Sequence, residues 1–258
     1  IRADSHTPPI GNPAPLLKAI PQENIKVDNK VEYFVSDHDL KSEEAVFGLY
    51  KSGINVSYLI RILSAGLLGI KTQRKLVPSR WSTTAVDSII SNVLIRKIKD
   101  YSWINEFQLF YDEYLGNHYE IILMPKEWGF EVVEIDLTNP NRSWQDYENY
   151  YGRKDYASDV TGAYYSNRLA CLEYLEKIKK QASILVLREI KPDYNIPLGV
   201  GILREVTRNA FNKNPLKFNN LKEAIENIKT RLKLPIDKFI NNSALIKEFK
   251  EQKRLMDF

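Results

Sequence analysis

Three groups of residues carry side chains suited to metal or acid–base chemistry. Arg2-Ala3-Asp4-Ser5-His6-Thr7-Pro8-Pro9 packs an arginine, an acid, a hydroxyl and a histidine into five positions. Asp37-His38-Asp39 has the form of a metal-binding acid pair, although Ser36 with Asp39 reads equally as a capping box for a following helix. Arg188-Glu189-Ile190-Lys191 contains E-x-K, the half-motif in which some nucleases pair a metal-binding acid with a lysine, and a triplet common by chance. If Arg2, Asp4, His6, Asp37, Asp39 and Glu189 met in one pocket, with Arg80 and Arg188 holding phosphate, metal-assisted hydrolysis of a nucleic acid or nucleotide would follow. That chemistry needs a divalent metal, and in two-metal form the ions lie about 4 Å apart. No H-E-x-x-H, P-loop, G-x-S-x-G or dinucleotide fingerprint occurs, so the residues alone do not establish an enzyme.

A fourth group suits phosphate binding. In Arg74-Lys75-Leu76-Val77-Pro78-Ser79-Arg80-Trp81-Ser82-Thr83-Thr84-Ala85-Val86-Asp87 a proline turn delivers Arg80 and Trp81 onto a helix start rich in hydroxyls. Free N–H groups and the helix dipole there favour an anion, and Arg80 adds a forked donor. Trp81 offers a face on which a base can stack, and Arg74 and Lys75 add charge. The ordinary alternative is a capped helix with a core tryptophan.

The last seven residues, Gln252-Lys253-Arg254-Leu255-Met256-Asp257-Phe258, spell Q-x-x-L-x-x-F and resemble the PCNA-interacting peptide of replication and repair proteins. Leu255, Met256 and Phe258 would form one apolar plug, while the Gln252 amide both donates and accepts hydrogen bonds in its own pocket. Three fixed positions are easily matched by chance in a long sequence, less easily at its final residue. Read otherwise, this stretch ends an amphipathic helix, since Leu245, Ile246, Phe249 and Met256 recur at helical spacing.

The chain has 258 residues, 43% of them hydrophobic, enough for one substantial core or two small ones. A formal charge of +4 from 37 basic and 33 acidic residues permits nucleic-acid contact without demanding it. Cys171 is the single cysteine; it excludes an internal disulfide framework or a cysteine-rich zinc site and reads as a small buried apolar residue. The longest apolar run, around 59–70, is broken by Arg61, Ser64, Gly66 and Gly69, so no membrane span is expected. The chain begins at Ile1 rather than methionine, so further amino-terminal sequence is expected. A cytoplasmic, nucleoid-associated protein is the expectation.

The elements that must position these residues alternate. Five prolines before residue 22 mark extended chain, followed by a strand-like run, Val31–Val35. Helical periodicity covers about 43–51, 56–68 and 82–99, the last capped by Ser82 or Thr83. Tyr119–Met124 and Phe130–Ile135 flank a Pro-Lys-Glu-Trp-Gly turn and read as a hairpin, while 138–155 reads as a polar, aromatic surface loop. A helix over 158–180, a buried strand at Ile184–Leu187, and helices over 199–211, 219–232 and 235–250 complete the pattern. The expected fold is mixed α/β (α+β): a small central sheet including a hairpin, surrounded by several helices. Residues 1–250 form one domain in this reading, and 251–258 a flexible tail.

Long ordered blocks are similar to the archaeal Nre family of DNA repair proteins. They are Arg2–Pro9, Ser36–Lys41, Leu76–Ser82 with Asp87, Glu113–Asn117, Gly152–Ala157, Gly162–Tyr165, Leu185–Ile190, and Pro197–Val200 with Arg204-Glu205 and Arg208–Phe211. The resemblance spans essentially the whole chain. It implies a DNA repair factor that contacts DNA, with PCNA as partner through a terminal peptide, and it implies no particular reaction. Nre-type proteins also carry a cysteine-rich amino-terminal segment of zinc-binding type; none of it is in this sequence, so zinc is expected only there.

Overall fold

The computed structural model describes residues 27–194, 199–241 and 243–251. Six strands form one sheet: β1 (Phe107–Tyr114), β2 (Asn117–Met124), β3 (Gly129–Asp136), β4 (Ser143–Glu148), β5 (Ser183–Ile190) and β6 (Leu216–Phe218), in the order β4-β3-β5-β2-β1-β6. β3 and β5 are parallel and every other neighbouring pair is antiparallel. The unbroken apolar run Ile184–Leu187 lies in the middle because β5 is covered on both faces. Ile184 and Val186 face one helical layer, Leu185 and Leu187 the other.

The first layer holds α1 (Asn29–Ser36), α2 (Ser42–Lys51), α3 (Val56–Ser64), α4 (Ser79–Ile98), α5 (Gly162–Ile178) and α6 (Gly201–Phe211). The second holds α7 (Leu221–Ile228), α8 (Asp237–Ile240) and α9 (Ala244–Glu251), with Leu221, Ile228, Phe239, Leu245 and Ile246 buried beneath. The mixed α/β expectation therefore holds.

Several local expectations are corrected. Val31–Val35 lies in helix α1, not a strand: Asp28 Oδ1 caps the Lys30 N–H at 2.8 Å, and Val31, Phe34 and Val35 fall on one helical face toward the core. The strands 119–124 and 130–135 do not pair with each other. β5 inserts between them, and the Pro-Lys-Glu-Trp-Gly link crosses the start of β5, where Ser183 Oγ donates to the Glu127 carbonyl at 2.5 Å. The hairpins are β1–β2 and β3–β4. The first closes through Leu115-Gly116, both at positive φ, the signature of a two-residue type I′ turn. Gly116 also has Tyr194 N only 2.6 Å from where a Cβ would stand. β4 falls inside the stretch expected to be loop, and the helix expected over 235–250 is two helices. α4 starts at Ser79, three residues before the expected cap, and Ser82 and Thr83 lie within it. Lys41, not Ser36, precedes α2; Asp37 Oδ1 instead accepts the N–H groups of Asp39 and Leu40, each at 3.1 Å.

Candidate nucleic-acid interface

α4, α5 and α6 run parallel, side by side. Contacts between α4 and α5 advance in step along both chains. Thr84 Oγ1 is 3.7 Å from the Cβ position of Gly162, Asp87 accepts from Ser166 Oγ at 2.9 Å, and Lys97 pairs with Glu176 at 3.5 Å. Between α5 and α6 the series is Gly162 with Val200, Thr207 Oγ1 donating to Asn167 at 2.9 Å, and Tyr174 stacked on Phe211 at 4.4 Å. All three amino termini therefore reach the same end of the layer.

Those three ends differ from the others. Asp28, Asn55 and Asn220 cap α1, α3 and α7; α2 and α8 carry acids in their first turns; and Glu131 with Ser243 serves α9. Among the described α-helices, only α4, α5 and α6 have neither a capping side chain nor a first-turn acid. Each uncancelled end is equivalent to roughly half a positive charge.

Arg80 and Trp81 project from this end of α4, one turn before Thr84, with Trp81 57% exposed and the Arg80 guanidinium 5.8 Å from its ring centroid. Leu76, 81% exposed, and exposed Lys75 precede them. Exposed apolar side chains set among cations are the pattern of a surface that meets a partner with both charge and flat faces. Behind it, Tyr156 on the surface stacks on Tyr165 in the first turn of α5, centroids 5.1 Å apart.

The structure separates the remaining candidate residues. Arg74 is engaged inward: its guanidinium donates to the carbonyls of Gly69 (2.6 Å), Val35 (2.8 Å) and Asp37 (2.6 Å), fixing the loop before α4. Arg188 is buried on the α5 side of β5, held by Glu134 at 2.9 Å and Asn117 Oδ1 at 3.0 Å from Nε. Glu189 points to the opposite layer and accepts the N–H groups of Lys233 and Leu234 at 3.0 and 2.9 Å. Asp37 and Asp39 sit at the junction of α1 and α2. These four are not brought together, and no group of three or more His, Cys, Asp or Glu side chains among the described residues is arranged to hold a metal ion. Arg2, Asp4, His6 and the tail residues Gln252, Leu255, Met256 and Phe258 lie outside the described residues; Glu251, expected in the tail, closes α9. Cys171 is fully buried, and burial pushes its thiol well up. No described helix is long and apolar enough to cross a membrane.

Sequence reasoning found Arg80 and Trp81 but gave Arg204 no role at the site. Arg204 is 1% exposed, its Nη1 paired with the buried Asp87 of α4 at 2.5 Å. An arginine one turn into a helix looks the same in sequence whether it faces water or a neighbouring helix.

Fold and site define a mixed α/β protein with a basic, aromatic helix end. The family model described as Archaeal Nre, N-terminal matches residues 1–144, and that described as Archaeal Nre, C-terminal matches 148–258, so the chain belongs to the archaeal Nre family. The two matches meet inside β4, and strands from both pair in the one sheet. The chain is 43% identical over 209 residues to the DNA repair protein NreA of Archaeoglobus fulgidus, covering 79% of this chain and 53% of the relative. It is 36% identical over 264 residues to the DNA repair protein NreB of the same organism, covering 99% of this chain and 66% of the relative. To the DNA repair protein NreA of Haloferax volcanii it is 36% identical over 220 residues, covering 81% and 52%. The chain thus spans between half and two thirds of the length of these relatives. No solved structure matches it.

Proposed function

We propose that this chain is a DNA repair factor that contacts DNA through the amino-terminal end of α4–α6 and is held at the PCNA sliding clamp by residues 252–258. The names of its relatives support the repair role. The observation that carries the DNA contact is the meeting of three parallel, uncapped helix ends beside exposed Arg80 and Trp81. Such an end attracts phosphate through N–H groups and dipoles, while Trp81 supplies a stacking face that any base can use.

The clamp contact rests on the Q-x-x-L-x-x-F sequence and on its anchorage. α9 is packed on the sheet through Leu245, Ile246 and Phe249, so the peptide follows a fixed helix. Tethering raises the local concentration of the DNA-binding end at the clamp without new DNA contacts. Removal of residues 252–258 abolishes co-elution with PCNA while leaving the circular-dichroism spectrum and melting temperature unchanged. Undiminished co-elution rules the clamp contact out.

A further inference from the structure

We propose that the point where α4, α5 and α6 begin is a cradle for a terminal phosphate monoester, the group found at a broken or nicked DNA end and on a free mononucleotide. The inference deepens the DNA-contact reading of the same helix end and rests on it.

Gly162, the first residue of α5, is at the centre. A Cβ there would stand 3.2 Å from Val200 Cγ1, the residue preceding α6, and 3.7 Å from Thr84 Oγ1 of α4. Glycine lets the three helix starts close on this point and keeps its own N–H at the start of α5. The Thr84 hydroxyl turns back to the Arg80 carbonyl at 3.2 Å, so the two residues share one face of α4.

A second observation is independent of the helix ends. Arg204 is almost wholly buried, yet its guanidinium is only half used. Nη1 is bonded to Asp87, and Nε makes no hydrogen bond, its second acid Glu205 being 3.7 Å away and half exposed. Nη2 stands 3.8 Å from the Cβ position of Gly201, the first residue of α6, so the free edge of the guanidinium faces that helix start. A buried donor without an acceptor is costly, and a forked donor suits two phosphate oxygens. Asp87 neutralises Arg204, so the charge left over to hold a dianion comes from the three helix ends and from Arg80. A monoester carries more charge and more free oxygens than an internal diester, so such a cradle prefers an end.

The test compares one fluorescent single-stranded oligonucleotide bearing either a 5′-phosphate or a 5′-hydroxyl. The fluorophore is at its other end, and anisotropy is read with the full chain. The phosphorylated form binds about tenfold tighter, and Thr84→Asp, which sets a carboxylate at the cradle, removes that ratio. Gly162→Ala, which narrows it, reduces the ratio and covers the case in which Thr84→Asp fails to fold. Equal affinities for the two forms overturn the cradle while leaving DNA contact standing. If neither oligonucleotide binds, the DNA-contact reading fails, and titration with inorganic phosphate decides the cradle alone. Amide shifts at Gly162 and Gly201 uphold it, and their absence overturns it. A deoxynucleoside 5′-monophosphate titrated the same way separates the two sources. Binding as tight as that of the oligonucleotide assigns the cradle to free nucleotides, and much weaker binding assigns it to DNA ends.

Discussion

Glu131 of β3 caps α9 from across the layer boundary, its Oε2 accepting from Ser243 Oγ at 2.5 Å and from the Leu245 N–H at 3.0 Å. Oε1 accepts from the Ala244 N–H at 2.9 Å and from Gln145 of β4. Ser243 Oγ in turn accepts the Ile246 N–H at 3.1 Å. One sheet carboxylate therefore fixes the start of α9, the helix that precedes residues 252–258 in the sequence.

Glu131→Ala leaves those donors buried without an acceptor, at a cost of about 1–3 kcal/mol. Urea unfolding measures the loss, and hydrogen exchange locates it at Leu245 and Ile246. Unchanged protection of those two amides contradicts the cap.

The buried pair Asp87–Arg204 joins α4 to α6 and holds the helix ends in register. Asp87→Ala strands the guanidinium and costs about 3–5 kcal/mol, whereas replacing both residues by apolar ones of similar volume recovers much of it. Equilibrium unfolding of the single and double variants measures the difference. A double variant as unstable as the single one shows that the pair is not what the helices need.

The long elements were legible in the amino-acid order. Ile184–Leu187 is too apolar for anything but a covered strand, and the helical periodicities behind α4 and α5 are long enough to outweigh local ambiguity. Pairing was not legible, because the insertion of β5 between β2 and β3 is decided by contacts about 60 residues apart. Val31, Tyr33, Phe34 and Val35 imitate a strand in composition, and only the Asp28 cap and one-sided burial make them a helix. β1 was missed because Gln108 interrupts its buried end and Asp112 and Glu113 dilute its pattern toward the exposed end. At the site, the proline turn before Arg80 announced a helix start. Gly162 and Arg204 gained a role only once three helices lay parallel, which no local pattern encodes.

Acid sensitivity follows from Glu113. Burial works to raise its carboxyl, but hydrogen bonds and charge from Lys191, 2.6 Å away, and from His118 outweigh it and hold the group below its ordinary value. A depressed folded-state value stabilises the protein above the unfolded carboxyl value, near about 4.3, and that contribution is lost as pH falls through the folded value. The effect is small because Glu113 is partly exposed. Melting temperature measured from pH 6 down to pH 3 declines more in the native chain than in Glu113→Gln; identical declines contradict the assignment.

Cys171 provides a probe of global stability. Its thiol is buried and pushed well up, so an alkylating reagent reaches it only after unfolding. Labelling under native conditions proceeds at the rate set by the unfolding equilibrium and accelerates with urea in parallel with it. Fast, urea-independent labelling shows local opening of α5.

The central claim is that DNA meets the protein at the shared amino-terminal end of α4, α5 and α6. Fluorescence anisotropy of single-stranded DNA across a salt series tests it most directly, with the native chain against Arg80→Gln and Trp81→Ala. Arg80→Gln lowers the salt slope by about 0.7, the share of one phosphate contact, and Trp81→Ala weakens binding by about 1–3 kcal/mol at every salt concentration. If both variants match the native chain in affinity and slope, DNA does not bind at this helix end.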